Sequence, residues 1–322
     1  MYHHILVPLD ASTLAERVLP HVMAIASLGD TTVTLTRVLE PPTLAGHATP
    51  TDPVAWRLAR AEADAYLSRI RETLETHDVH VHTRVVDGTP ATALLTFARD
   101  HDVDLIAIAS HGRSGLAGWN LGGVSTKLVS HARCDVLLVR AFASEDGEAT
   151  PLRYERILVP LDGSARAECA LAPACQLAHA HDAHLYLLHV IEPHHLCSAT
   201  PLTASDAKLA ASFHALHTRL ARTYVETHVQ HLEHNAPEVH GRVIEADDLA
   251  AALHETIADE RIDLVIASAH GATGSARWPY GTTLLNLLAY GTTPILVVQD
   301  VPARERIAST AERAAEEHAG HA

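Results

Sequence analysis

The chain has 322 residues, 47% of them hydrophobic and only 4% aromatic, so its cores are expected to consist of Leu, Val, Ile and Ala. Thirty-nine acids against 24 bases give a net charge of −15, and Lys127 and Lys208 are the only lysines. This excludes the basic face that a nucleic-acid surface needs, and no apolar run approaches the roughly 18 residues of a membrane span.

In chain order, the first apolar run, ILVPLD at 5–10, does not alternate. It reads as a strand buried on both faces that ends in an acid at the mouth of a loop. The stretch ASTLAERVLPHVMAIASLG is predicted as one helix, with Thr13 and Glu16 at capping-box spacing and Leu14, Val18, Leu19, Val22 and Ile25 on one face. Next come a strand TVTLTRVLE, a Pro-containing loop, a long helix to about Thr76 and a strand VHVHTRVVDG. A helix TPATALLTFARDHD, a buried strand VDLIAIAS, a helix GVSTKLVSHA and a strand DVLLVR complete the unit.

The unit is then written again. ILVPLD recurs at 157–162, and AHLYLLHVIEP, EVHGRVIEA, IDLVIASAHG and TPILVVQ match the remaining strands in turn. The expected organisation is a first domain at 1–142, a polar linker at 143–152, a second domain at 153–300 and a charged tail at 301–322. Alternating β and α elements imply an α/β fold: two tandem open five-stranded parallel sheets of order 3-2-1-4-5, helices on both faces, related by a pseudo-twofold axis. The apolar last strands, 136–139 and 295–298, are expected to meet across the domain interface, because exposed apolar edges invite pairing.

In such a sheet, ligands bind outside the carboxyl ends of the strands where the strand order reverses. Two features converge there in each copy. One is the acid after the first strand, Asp10 or Asp162; the other is the glycine-rich loop after the fourth strand, at 109–126 or 268–284. Glycines let backbone N–H groups approach phosphate oxygens, and each loop runs into a helix N-terminus, which makes an anion site without lysine. From Gly112 nine residues lead to Gly122, and from Gly271 nine lead to Gly281, followed by Thr282.

Together with ILVPLD, DLIAIASHG and GVSTKLVSHARCDVLLVR, this spacing resembles the universal stress protein family in its tandem form, over about 2–140 and 154–299. The family's ATP signature is Gly, two residues, Gly, nine residues, Gly, then Ser or Thr. The resemblance implies an adenine nucleotide, ATP or another, with or without Mg2+, bound by a stress-response module. In the second copy it points to Asp162, Val190, Ser268, His270, Gly271, Gly281 and Thr282; in the first to Asp10, Val38, His111, Gly112, Arg113, Gly122, Gly123 and Ser125.

The copies depart from the signature. Ala109 and Ser268 replace its leading glycine, Gly123 stands where a hydroxyl is expected, and Asp247 replaces the glycine that Gly88 supplies in the first copy. The second copy is therefore expected to bind better. In the first, Ser125 or Thr126 is a candidate substitute for the missing hydroxyl, and Arg113 adds a charge where the second copy has Ala272.

No GxxxxGK[ST], no GxGxxG opening a helix after the first strand and no kinase catalytic loop appears, so the main reading is a binding and signalling module. Slow ATP turnover or phosphoryl transfer in the same cleft, and a scaffold with decayed sites, are the alternatives. His111 and His270 read as loop-orienting residues. Twenty-six histidines include His228, His231 and His234 on a predicted helix, His80 and His82 on one strand face, and the group His179, His181 and His184. Solvated surface histidine is the reading preferred for them, since helical spacing of i to i+6 spans about 10 Å. Four cysteines without CxxC spacing, and a first strand that leaves no room for a signal peptide, suggest a reduced, cytoplasmic chain. Protein partners and a homodimer are left open by the sequence.

Overall fold

A computed structural model describes residues 2–41, 43–44, 47–48, 52–75, 79–111, 121–140, 152–193, 203–234, 236–272 and 280–300. The first half runs β1 (His4–Pro8), α1 (Thr13–Glu16), α2 (Leu19–Ala26), β2 (Thr32–Leu39), a small hairpin of β3 (Thr43–Leu44) and β4 (His47–Ala48), and α3 (Pro53–Glu75). It continues through β5 (His80–Asp87), α4 (Pro90–Asp100), β6 (Leu105–Ala109), α5 (Gly123–His131) and β7 (Asp135–Val139). The second half runs β8 (Arg156–Leu161), a 3-10 turn (Ala167–Ala170), α6 (Leu171–His181), β9 (His184–Ile191), α7 (Ala204–Leu232), β10 (Glu238–Glu245), α8 (Leu249–Asp259), β11 (Leu264–Ser268), α9 (Thr282–Tyr290) and β12 (Ile295–Val298).

The strand order is β10-β9-β8-β11-β12-β7-β6-β1-β2-β5. Each half has the order 3-2-1-4-5, all parallel, but the two sheets are one continuous sheet of ten strands, because β12 pairs antiparallel with β7. The register pairs Leu296 with Leu137, flanked by Ile295 with Leu138 and Val297 with Val136. Within the halves, Ile106 faces Val136 and the matching Val265 faces Ile295, so Ile295 is the counterpart of Val136. The flanking pairs thus exchange under a twofold axis passing between Leu137 and Leu296. β6 and β11 are buried throughout, as sheets covered on both faces require.

Side-chain alternation sends Val7, Leu137, Leu296 and Val159 into a core on one face and Leu6, Leu138, Ile295 and Leu158 into a core on the other. Both cores therefore cross the seam. Polar ties reinforce it: Tyr154 O–H pairs with His21 Nδ1 at 2.8 Å, Gln299 N donates to Asp135 Oδ1 at 2.8 Å, and Tyr280 O–H donates to the Val129 carbonyl.

Two local expectations are corrected. The first helix is two, because Pro20, in the first turn of α2, has no N–H to continue the ladder; 3-10 type bonds from Arg17 N and Val18 N bridge the break. Its cap is Ser12 and not Thr13: Ser12 Oγ accepts from Ala15 N at 3.1 Å, while Glu16 receives the Tyr66 hydroxyl at 2.9 Å. Of the proposed linker and tail, 143–151 and 301–322 lie outside the described residues.

Candidate functional site

At the carboxyl end of β8, the register Leu161 to His189 sets Asp162 beside Val190, which is half-buried; Asp10 and the half-buried Val38 stand in the same relation at the end of β1. Both acids fold their own loops. Asp10 Oδ1 accepts from Ser12 N at 3.0 Å and Ser12 Oγ at 2.6 Å; Asp162 Oδ1 accepts from Ser164 N at 3.0 Å and Ser164 Oγ at 2.6 Å.

Asp162 does one thing more. Its Oδ2 accepts from Ala272 N at 2.6 Å, tying the first-strand loop to the glycine loop. The carboxylate thus already accepts three bonds, which leaves little of its capacity for the ribose or base contact the sequence suggested. The approach needs Gly271: a Cβ there would collide with Asp162 Oδ2.

The glycine loops start the same way in both halves. Gly122 N donates to Ser110 O at 2.9 Å, and Gly281 N donates to Ala269 O at 3.0 Å. These glycines are the N-caps of α5 and α9, and neither helix has a side-chain cap among the described residues. Each first turn therefore presents N–H donors that no described side chain caps, and the positive end of the helix dipole. Gly281 has φ −69°, and a Cβ there would meet nothing nearer than Gly271 N at 3.9 Å. Thr282, the first residue of α9, is exposed, as is its counterpart Gly123.

Other candidates turn inward. Ser125 is buried and donates to Ala109 O at 2.9 Å, for it occupies the core position that Leu284 fills in the other half. Thr126 Oγ1 leans toward Leu121 O at 3.5 Å, so neither hydroxyl reaches the crevice in place of the one missing at Gly123. Ser268, also buried, donates to the His270 carbonyl. His270 is 5% exposed and its Nδ1 lies 2.7 Å from Asp300 Oδ1; Arg166 Nε lies 3.5 Å from the other oxygen. His111 Nδ1 pairs with Ser110 Oγ at 3.0 Å. Gly112 and Arg113 lie outside the described residues.

Asp300 and Arg166 were not anticipated. Asp300 stands two residues beyond the last strand, a position with no local signature, and the matching positions in the first half carry Ala141 and Leu14. The helical histidines do not converge: His228 Nε2 faces Glu168 at 3.4 Å, while His231 Nδ1 bonds its own helix at Thr227 O.

Fold and site define a class: a tandem, doubly wound α/β protein in which each half carries an acid at the end of its first strand and a glycine-capped helix after its fourth. The sequence model of the Universal stress protein family matches residues 1–140 and again 153–299, and the chain belongs to that family. A universal stress protein of Methanocaldococcus jannaschii is 28% identical over 141 residues, 44% of this chain and 83% of the relative. Among solved structures, a universal stress protein from Archaeoglobus fulgidus covers 92% of this chain and 98% of its own, with a TM-score of 0.66 and 17% identity. A functionally unknown protein from Pseudomonas aeruginosa covers 98% of both chains, with a TM-score of 0.69 and 15% identity. At such identities these likenesses establish the fold.

Proposed function

We propose that the protein is an adenine-nucleotide-binding module, with ATP the leading candidate, and that the second half is the stronger site. The observation that carries this reading is the N-terminus of α9, where among the described residues no side chain caps the helix, nothing crowds Gly281 and Thr282 offers an exposed hydroxyl. Phosphates fit that cradle by hydrogen bonds and dipole attraction, with Val190 as an apolar wall for the nucleoside.

In the first half the cradle at Gly122 persists, but Gly123 lacks the side-chain bond. A missing charge-assisted bond lowers affinity about tenfold, at about 1.4 kcal/mol per decade. Mg2+ would arrive with the phosphates, since Asp162 already accepts three bonds. The module acts by occupancy and in the cytoplasm, in keeping with no disulfide at Cys134, Cys169 or Cys175 among the described residues.

Calorimetric titration of the full chain with ATP tests this. Gly281→Val, whose backbone angle and open surroundings admit a side chain, should abolish the stronger binding event with the ligand-free melting temperature unchanged. Unaltered affinity in that variant would place the nucleotide elsewhere.

A further inference from the structure

At the other end of the second half's strands, away from the crevice, three side chains converge on the edge of the sheet. Strands β9 and β10 pair in parallel with Glu238 opposite His184 and His240 opposite Tyr186. Alternation along β10 puts Glu238 and His240 on one face, and the register sets His184 beside them. The distances are 3.2 Å from His184 Nδ1 to His240 Nε2, 3.2 Å from His184 Nδ1 to Glu238 Oε2 and 3.4 Å from His240 Nε2 to Glu238 Oε1.

The imidazoles lie nearly parallel, their centroids 5.5 Å apart, and the Tyr186 ring packs 4.8 Å from His240. A single cation placed among two ring nitrogens and a carboxylate at such range would be met by all three at once. A ring nitrogen from each imidazole and a carboxylate oxygen together form the donor set of a transition-metal ion.

The spacing fits one. Ligand atoms about 2.1 Å from a tetrahedral ion stand about 3.4 Å from one another. We propose that His184, Glu238 and His240 bind a divalent first-row transition ion of the zinc type, with the remaining coordination position open to water. The donor set selects against Mg2+ and Ca2+, which prefer all-oxygen shells, and favours zinc or its neighbours in the transition series. All three residues are partly or fully exposed, so the ion enters from solvent without a large desolvation cost.

Since β10 is an edge strand, the ion staples the sheet's outermost strand to its neighbour. The first half carries an internal control. There the register aligns Thr32 with His80 and Thr34 with His82, so Thr32 stands where His184 would be and the trio is incomplete.

The test uses tag-free, metal-stripped full-length protein titrated with Zn2+ against a chromophoric chelator, and with Co2+ followed by visible absorption. Wild type should bind one ion more tightly than any other, with a tetrahedral or five-coordinate cobalt spectrum and a rise in melting temperature. The double variant His184→Ala, His240→Ala should lose that ion while keeping the metal-free melting temperature; His80→Ala with His82→Ala should retain it. Glu238→Gln should weaken binding by at least the roughly 10- to 100-fold that outer-shell partners command. Wild type binding no ion more tightly than the double variant does would overturn the proposal, as would loss of the tight site in the His80, His82 variant instead.

Discussion

Asp162 and Gly271 stand so close that a Cβ on the glycine would displace the acid: the carboxylate Oδ2 occupies the space it would fill and accepts the amide of the next residue, Ala272, at 2.6 Å. Gly271 is therefore required for close approach and not for an unusual backbone angle. It lets the acid at the end of β8 hold the loop that leads to α9.

The first prediction follows from that contact. Gly271→Ala should push Asp162 aside and break its bond to Ala272, lowering stability by about 0.5–1.5 kcal/mol, the net value of a hydrogen bond at a solvent-screened site. Asp162→Asn should lose a similar amount, and the double variant should cost little more than either single one, because both remove the same contact. Denaturant unfolding of the three variants measures this; additive losses would show that the two residues act separately.

The second prediction concerns pH and the seam between the halves. Burial pushes the His21 imidazole down to about 4, and His181, whose Nε2 pairs with Ala24 O across the same seam, is lowered by burial, with a smaller contribution from Arg153. An unfolded histidine titrates near 6.5. Above that value neither state takes the proton, so stability is unaffected. Below it the unfolded chain binds protons that the folded chain refuses, and stability falls as pH drops from about 6.5 to about 4. For His21 alone the loss amounts to at most about 3 kcal/mol. A His21→Phe variant should flatten the profile of melting temperature between those limits, and a slope as steep as wild type would assign the effect to other groups.

The third prediction addresses the far side of the seam. Arg140, only 8% exposed, donates through Nη2 to Leu288 O at 2.7 Å and Ala289 O at 2.8 Å, so a cation from the first half closes the last turn of α9 in the second. A positive charge there meets the negative end of the helix dipole and satisfies carbonyls the helix cannot. Arg140→Ala should cost about 2–3 kcal/mol by the usual value of charge-assisted bonds, and Arg140→Lys less. In wild type, calorimetry should give one unfolding transition for both halves. Two separate transitions in the wild-type protein would mean that the continuous sheet does not couple them.

Much of this molecule is written in its order of residues. The repeated ILVPLD runs set two parallel sheets, the unalternating DLIAIA and DLVIAS runs set their buried fourth strands, and the apolar last strands required a partner that each finds in the other. The glycine loops and strand-end acids were legible too, because periodicity and turn chemistry are local properties. What Asp162 bonds was not legible, nor that Ser125 faces the core or that Asp300 pairs with His270. The grouping of His184 with Glu238 and His240 shows why. By sequence His184 belongs with His179 and His181, yet the strand register sets it beside residues more than fifty positions away. Alternation fixes which face of a strand a side chain takes. Which residues then share a site depends on how far each strand slides past its neighbour, and that is decided by the packing of the crossover helices between them.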